Sequence, residues 1–152
     1  MINRRVVLQR SAHVAALLAA AGLWPALARA AWPQAAFDAK NLPDAVKALG
    51  GAAPQESKDV ALTAPDIAEN GAVVPLACGC SLPGVERLAL LVEKNPNTLA
   101  AVFDISDAVE PNFSTRVKMA QTSHVYAVAL TADGKALFAQ KEVKVTLGGC
   151  GG

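Results

Sequence analysis

Val125-Tyr126-Ala127-Val128-Ala129-Leu130-Thr131 runs into Ala132-Asp133-Gly134 and out again as Lys135-Ala136-Leu137-Phe138-Ala139-Gln140. Side-chain alternation in an extended chain puts Val125, Ala127 and Ala129 on one face and Tyr126, Val128 and Leu130 on the other, and both sets are apolar. A strand apolar on both faces is a central strand, covered from both sides. Asp133-Gly134 supplies the turn chemistry that joins the two runs as a hairpin.

The same grammar extends outward from this hairpin. Short apolar runs near residues 60–63, 73–81, 86–93, 98–106, 113–119 and 144–147 are predicted strands, with 125–131 and 136–140 from the hairpin itself. Between them lie the turn signals Asn70-Gly71, Leu82-Pro83-Gly84, Asn95-Pro96-Asn97 and Glu110-Pro111-Asn112. Within residues 113–119, Phe113, Val117 and Met119 are predicted to point inward, leaving Arg116 and Lys118 on a solvated outer face. Seven or eight short strands, with no long helix to serve as a parallel crossover, define an all-β fold: an immunoglobulin-like antiparallel β-sandwich. Upstream, an irregular start gives way to one short helix, with Asn41 as its cap, Pro43 in its first turn, Leu42, Val46 and Leu49 on one side, and Gly50-Gly51 at its end. Residues 31–59 are thus a helix and linker, and 60–147 the sandwich.

The first thirty residues read as a twin-arginine signal peptide. Asn3-Arg4-Arg5-Val6-Val7-Leu8-Gln9 precedes the apolar stretch 12–23, and Ala28-Arg29-Ala30 has the small-x-small form of a cleavage site. The expectation is a periplasmic mature chain of 122 residues, left when the first 30 of 152 are removed. No later segment is apolar enough to span a membrane. Losing Arg4, Arg5, Arg10 and Arg29, and no acid, takes the net charge from +1 to −3. With no basic run either, the mature chain has no phosphate-binding surface and a nucleic-acid partner is excluded.

An ordinary active site is hard to assemble from what remains. The mature chain has a single histidine, His124, read as an exposed turn histidine, and no phosphate loop, nucleophile elbow or zinc-protease motif. The expected protein has no independent catalysis and no cofactor of its own.

Chemistry concentrates in three cysteines, Cys78, Cys80 and Cys150. Cys150 sits in Gly148-Gly149-Cys150-Gly151-Gly152, where four glycines offer nothing to pack and maximal backbone freedom, so residues 148–152 are predicted to be a flexible arm with an outward-facing thiol. Five extended residues reach about 17 Å, enough to enter a cleft of another protein. No helix N-terminus or neighbouring cation lowers the thiol's pKa. Such a thiol is accessible without being intrinsically reactive, which suits a carrier activated inside each partner's site. Cys78-Gly79-Cys80 places two thiols on one face of a strand with Cα atoms about 7 Å apart, too far for an unstrained disulfide unless the strand bulges at Gly79. The pair reads either as two small buried hydrophobes or as a soft-metal or redox pair.

Four stretches carry a family resemblance: Pro65-Asp66-Ile67-Ala68-Glu69-Asn70-Gly71-Ala72-Val73-Val74-Pro75, Val92-Glu93-Lys94-Asn95-Pro96-Asn97, Ser114-Thr115-Arg116-Val117-Lys118-Met119, and Lys144-Val145-Thr146-Leu147-Gly148-Gly149-Cys150-Gly151-Gly152. The chain resembles SoxY, the sulfur-carrier family of the periplasmic thiosulfate-oxidising system, over essentially the whole mature sequence. The resemblance implies an immunoglobulin-like sandwich, twin-arginine export, and a heterodimer with a SoxZ-like subunit. It also implies that Cys150 holds thiosulfate-derived sulfur and presents it to a c-type cytochrome, a di-manganese hydrolase and a molybdenum sulfur dehydrogenase. Cys78 and Cys80 depart from the family pattern, which has aliphatic or polar residues there. The alternative reading is a periplasmic soft-metal (copper) or redox-active binding module using Cys78, Cys80 and Cys150.

Overall fold

Two units make up the chain, Met1–Trp32 and Pro33–Gly152, and the computed structural model describes residues 4–20 and 33–148. In the first unit, α1 (Arg4–Ala20) is helical. Ser11 Oγ donates back to the carbonyls of Val7 and Leu8. Among the described residues no helix is long and apolar enough to cross a membrane.

The second unit opens with two short helices, α2 (Gln34–Asp38) and α3 (Leu42–Ala48). The cap of α3 is the expected one: Asn41 Oδ1 accepts from the Asp44 backbone N–H at 2.9 Å, Pro43 lies in the first turn, and Gly50 follows at φ +89°. Helix α2 departs from the irregular start expected of this stretch. One turn forms there because Ala36 is fully buried beneath it and the Gln34 amide reaches the Asp38 carboxylate one turn on.

Nine strands follow among the described residues: β1 (Gln55–Glu56), β2 (Val60–Thr63), β3 (Ile67–Ala68), β4 (Val74–Cys80), β5 (Val85–Val92), β6 (Leu99–Asp104), β7 (Asn112–Val117), β8 (Ser123–Thr131) and β9 (Ala136–Val145). They form a sandwich of a six-stranded sheet, in the order β1-β9-β8-β5-β6 with β3 also on β9, and a three-stranded sheet in the order β2-β4-β7. The main pairs are antiparallel, as expected; the two-residue strands β1 and β3 pair with β9 in parallel.

The run read as a central strand is β8, between β5 and β9. Val125, Ala127 and Ala129 enter, with Leu88 and Leu90 of β5, a core shared with Leu76 of the small sheet. Val128 and Leu130, on the other face, pack with Leu91 of β5 under the helix residues Ala36, Ala45 and Val46. The helices therefore form a third layer that covers the outer face of the large sheet.

The last two predicted strands, 136–140 and 144–147, are one strand of ten residues. Gln140-Lys141-Glu142 does not interrupt it because the β8 ladder continues through Tyr126↔Gln140, Val125↔Lys141 and His124↔Glu142. Lys141 Nζ finds its own partners in the Ala64 carbonyl at 2.6 Å and the Asp66 carboxylate at 3.0 Å. The hairpin turn is as read, with Gly134 at φ +81°.

Candidate functional site

Strand β9 carries the chain toward the predicted carrier residue, and the surroundings of its last turn are built from polar backbone contacts. Beyond Val145 the chain runs beside residues 66–71. Lys144 N–H donates to the Asp66 carbonyl at 3.0 Å, Thr146 N–H to that of Ala68 at 3.1 Å, and Gly71 N–H to that of Leu147 at 2.7 Å. Thr146 Oγ1 adds a bond to the Glu69 carbonyl at 3.1 Å. Asn70 shapes the return by accepting from the Ala72 N–H on its side chain at 2.9 Å.

Two further segments close around this point. Met119 N–H donates to the Gly71 carbonyl at 2.7 Å, and Val145 N–H to Thr122 Oγ1 at 3.0 Å. The Asn95 side chain clips the chain after β7 at both ends, donating to the Lys118 carbonyl at 2.7 Å and accepting from the Ala120 N–H at 3.1 Å. Gly148 then passes Ala120 so closely that a Cβ placed on it would lie 2.4 Å from the Ala120 carbonyl oxygen. Glycine at 148 thus has a steric reason. The four stretches that carry the family resemblance, far apart in sequence, thus meet at one place in the fold.

Cys150, Gly149, Gly151 and Gly152 lie outside the described residues; Gly148 is the last residue placed. Cys78 and Cys80 are elsewhere, on the inner face of β4, 2% and 9% exposed and part of the core with Leu76 and Leu90. Both are free thiols. Burial pushes the Cys78 thiol up to about 11, so its thiolate, the form that binds soft metals and exchanges with disulfides, is strongly disfavoured. Gly79 between them is tightly placed, since a Cβ there would meet the Pro111 carbonyl at 3.2 Å. Among the described residues no group of three or more His, Cys, Asp or Glu is placed to hold a metal ion.

His124 is half-exposed and faces the Glu93 carboxylate at 3.5 Å. Arg116 and Lys118 are exposed on the outer side of β7 and the residues after it, while Val117 and Met119 are buried, as alternation required. Sequence reading missed Asn95, Ala120, Thr122 and Gly71 as parts of the site. Asn95 and Gly71 were visible as turn residues and as members of the stretches that carry the resemblance, with no role attached, and nothing local in Ala120 or Thr122 marks them.

The family model described as sulfur oxidation protein SoxY matches residues 45–150, from within α3 to the cysteine itself. The chain belongs to the SoxY family. A solved structure of the sulfur carrier protein SoxY from Chlorobium limicola f thiosulfatophilum is similar at 37% identity and a TM-score of 0.62, covering 68% of this chain and 94% of that one. A superoxide reductase (neelaredoxin) from Ignicoccus hospitalis matches at 16% identity and a TM-score of 0.51, covering 57% of this chain and 78% of that one. That second likeness is one of fold alone. No curated protein sequence matches the chain. For this SoxY-family chain the shared part spans the sandwich and the root described above, and leaves the first 44 residues outside.

Proposed function

We propose that this SoxY-family protein carries thiosulfate-derived sulfur covalently on Cys150 while the sandwich serves as its rigid handle. The observation that carries the reading is the root. Residues from four distant stretches hold the chain up to Gly148, two residues before the cysteine in the sequence. Burial of Cys78 and Cys80 supports it from the other side, since it withdraws both of those thiols from partners in solution.

In this reading a c-type cytochrome couples thiosulfate to the thiol. The Cys150 S–H loses its proton, two electrons pass to haem, and a new bond gives Sγ–S–SO3−. A di-manganese hydrolase adds water and releases sulfate, leaving a persulfide. A molybdenum sulfur dehydrogenase then takes six electrons from the sulfane sulfur as three waters supply oxygen, giving Sγ–SO3−, and a second hydrolysis releases sulfate and restores the thiol. The protein itself contributes attachment and presentation, with no cofactor. It works in the periplasm after twin-arginine export of residues 1–30, paired with a SoxZ-like subunit.

Peptide mass mapping after incubation with thiosulfate and the haem partner tests this. The expected adduct is on the peptide containing Cys150, and Cys150→Ser should abolish turnover with native stability unchanged. An adduct confined to Cys78 or Cys80 would overturn the reading.

A further inference from the structure

We propose that Cys78 and Cys80 are a latent disulfide: the packed small sheet keeps the two thiols apart, and once that sheet opens, an external disulfide oxidises them into a link over which the sheet cannot close again. The pair is thus a redox switch on the fold itself, and it does not depend on sulfur carriage at Cys150.

Both thiols are free and point to the inner face of β4, in the core cluster of Leu76 and Leu90. In a regular strand their Cα atoms stand about 7 Å apart, at the outer limit for a disulfide. Closing that gap means kinking the strand at Gly79 and pushing this residue toward the outer face. The sheet resists on every side. β4 is the middle strand, with Gly79 held in register between Ala61 of β2 and Asn112 of β7. Beyond its outer side lies the Pro111 carbonyl, 3.2 Å from where a Cβ would stand, and the Cys80 N–H donates to that same carbonyl at 3.0 Å. Phe113, opposite Cys78 on β7, stacks on Phe103 at 4.5 Å and closes that edge of the core. The folded sheet therefore holds the pair reduced by geometry, while burial of both thiols keeps an oxidant out.

None of these restraints survives in the opened chain, where the two thiols are separated only by a glycine, the most permissive residue for the kink. One thiolate attacks a glutathione disulfide and releases one glutathione; the second thiolate attacks the mixed disulfide and releases the other. Two electrons pass from the pair to glutathione, and the two thiol protons end on the two glutathione thiols. An oxidising compartment, such as the periplasm of the proposed function, supplies this class of oxidant. Because the link and the native sheet exclude each other, an opening that is captured becomes one-way until a reductant acts. The consequence reaches the root. β4 begins at Val74, paired with Val117, and just before it Val73 N–H donates to the Asn70 carbonyl at 3.3 Å, while Gly71 bonds both Leu147 and Met119 at 2.7 Å. Losing β4 removes the frame of that clasp, so the oxidised chain also loses its hold on Gly148.

Cys150→Ser in the full chain leaves Cys78 and Cys80 as the only cysteines, which separates the switch from sulfur carriage. Incubated with oxidised glutathione, this protein should form the link slowly, and adding Leu76→Ala, at a buried position of the small sheet, should speed it about thirty-fold or more. If the Leu76→Ala protein does not fold, urea below the unfolding transition serves the same end, with the oxidation rate rising in step with the opened population. Peptide mapping should place the link between Cys78 and Cys80. The linked protein should lack the native near-ultraviolet circular dichroism and the hydrogen-exchange protection of the Gly71 amide, and dithiothreitol should restore both. Cys78→Ala should keep the native fold under the same oxidant. A link that forms while the native spectrum and the Gly71 protection persist would overturn the switch. So would a rate indifferent to Leu76→Ala and to urea, or glutathione retained on one thiol with no link to the other.

Discussion

The core around Cys78 and the root around Gly148 hold the chain by opposite means. Cys78 is enclosed in an apolar cluster with Leu76, Leu90 and their neighbours, where the side chain has lost its water. At Gly148 the chain is fixed by backbone amides, two asparagine side chains and two threonine hydroxyls, close to solvent and beside an exposed Leu147. The difference bears on thiol chemistry. Desolvation disfavours the thiolate of Cys78, while polar contacts hold the root at Gly148, two residues before Cys150 in the sequence. Under the carrier reading, a protein with three cysteines can thus confine its sulfur chemistry to one of them without any catalytic group.

The sharpest way to break this contrast is to open the core. Leu90 is fully buried, so Leu90→Ala should cost about 2–5 kcal/mol in urea unfolding. Native-state alkylation of Cys78 should speed up accordingly, with the rate at Cys150 unchanged. If Cys78 reacts as fast as Cys150 before any such change, the core does not seal it.

Next in size is the clip. Asn95→Ala leaves the Lys118 carbonyl and the Ala120 N–H without their partner and should cost about 1–3 kcal/mol. Asn95→Asp, which keeps the acceptor for Ala120, should recover part of the loss. Hydrogen exchange at Ala120 should rise in the first variant far more than at the Val128 amide in the sheet.

Gly148→Ala tests the close approach at the root. Its Cβ would press on the Ala120 carbonyl, and relief requires the chain end to shift, at a cost of about 1 kcal/mol or a little more. Sulfur turnover by partner enzymes should fall with it, while labelling of Cys150 by a small thiol reagent stays the same. An unaltered turnover rate would show that the exit direction is unimportant.

The smallest effect is a pH dependence. Cys78 is raised from an ordinary 9.0 to about 11 by burial, so between those values the unfolded chain has lost a proton that the folded chain retains. The contribution is complete below about pH 9 and is lost as pH rises toward 11. Unfolding midpoints should therefore decline over that window more steeply than in Cys78→Ala. Equal slopes would place the thiol in water.

Much of the fold is legible locally. Two apolar faces on 125–130 announced a central strand, Asp133-Gly134 the hairpin, Asn41 and Pro43 the helix start, and alternation in 113–119 the outward Arg116 and Lys118. Where local reading failed, a distant partner had decided. Gln140-Lys141-Glu142 looks like a break until β8 supplies the ladder and Asp66 the counter-charge. Residues 34–38 look irregular until the large sheet offers a surface for Ala36. The short parallel pairs of β1 and β3 with β9 have no signature in two residues.

The sequence by itself determined the sandwich, the export signal as an expectation, and Cys150 as the residue to watch, because alternation, turn chemistry and a glycine-flanked cysteine are written in neighbouring residues. Only the tertiary structure decided that Cys78 and Cys80 are buried together in the core, and that Gly71, Asn95, Ala120 and Thr122 gather around the root at Gly148. Burial and long-range hydrogen bonds depend on which strands meet, and Gly71 with Leu147, or Asn95 with Ala120, are brought together by the sheets and not by their spacing along the chain.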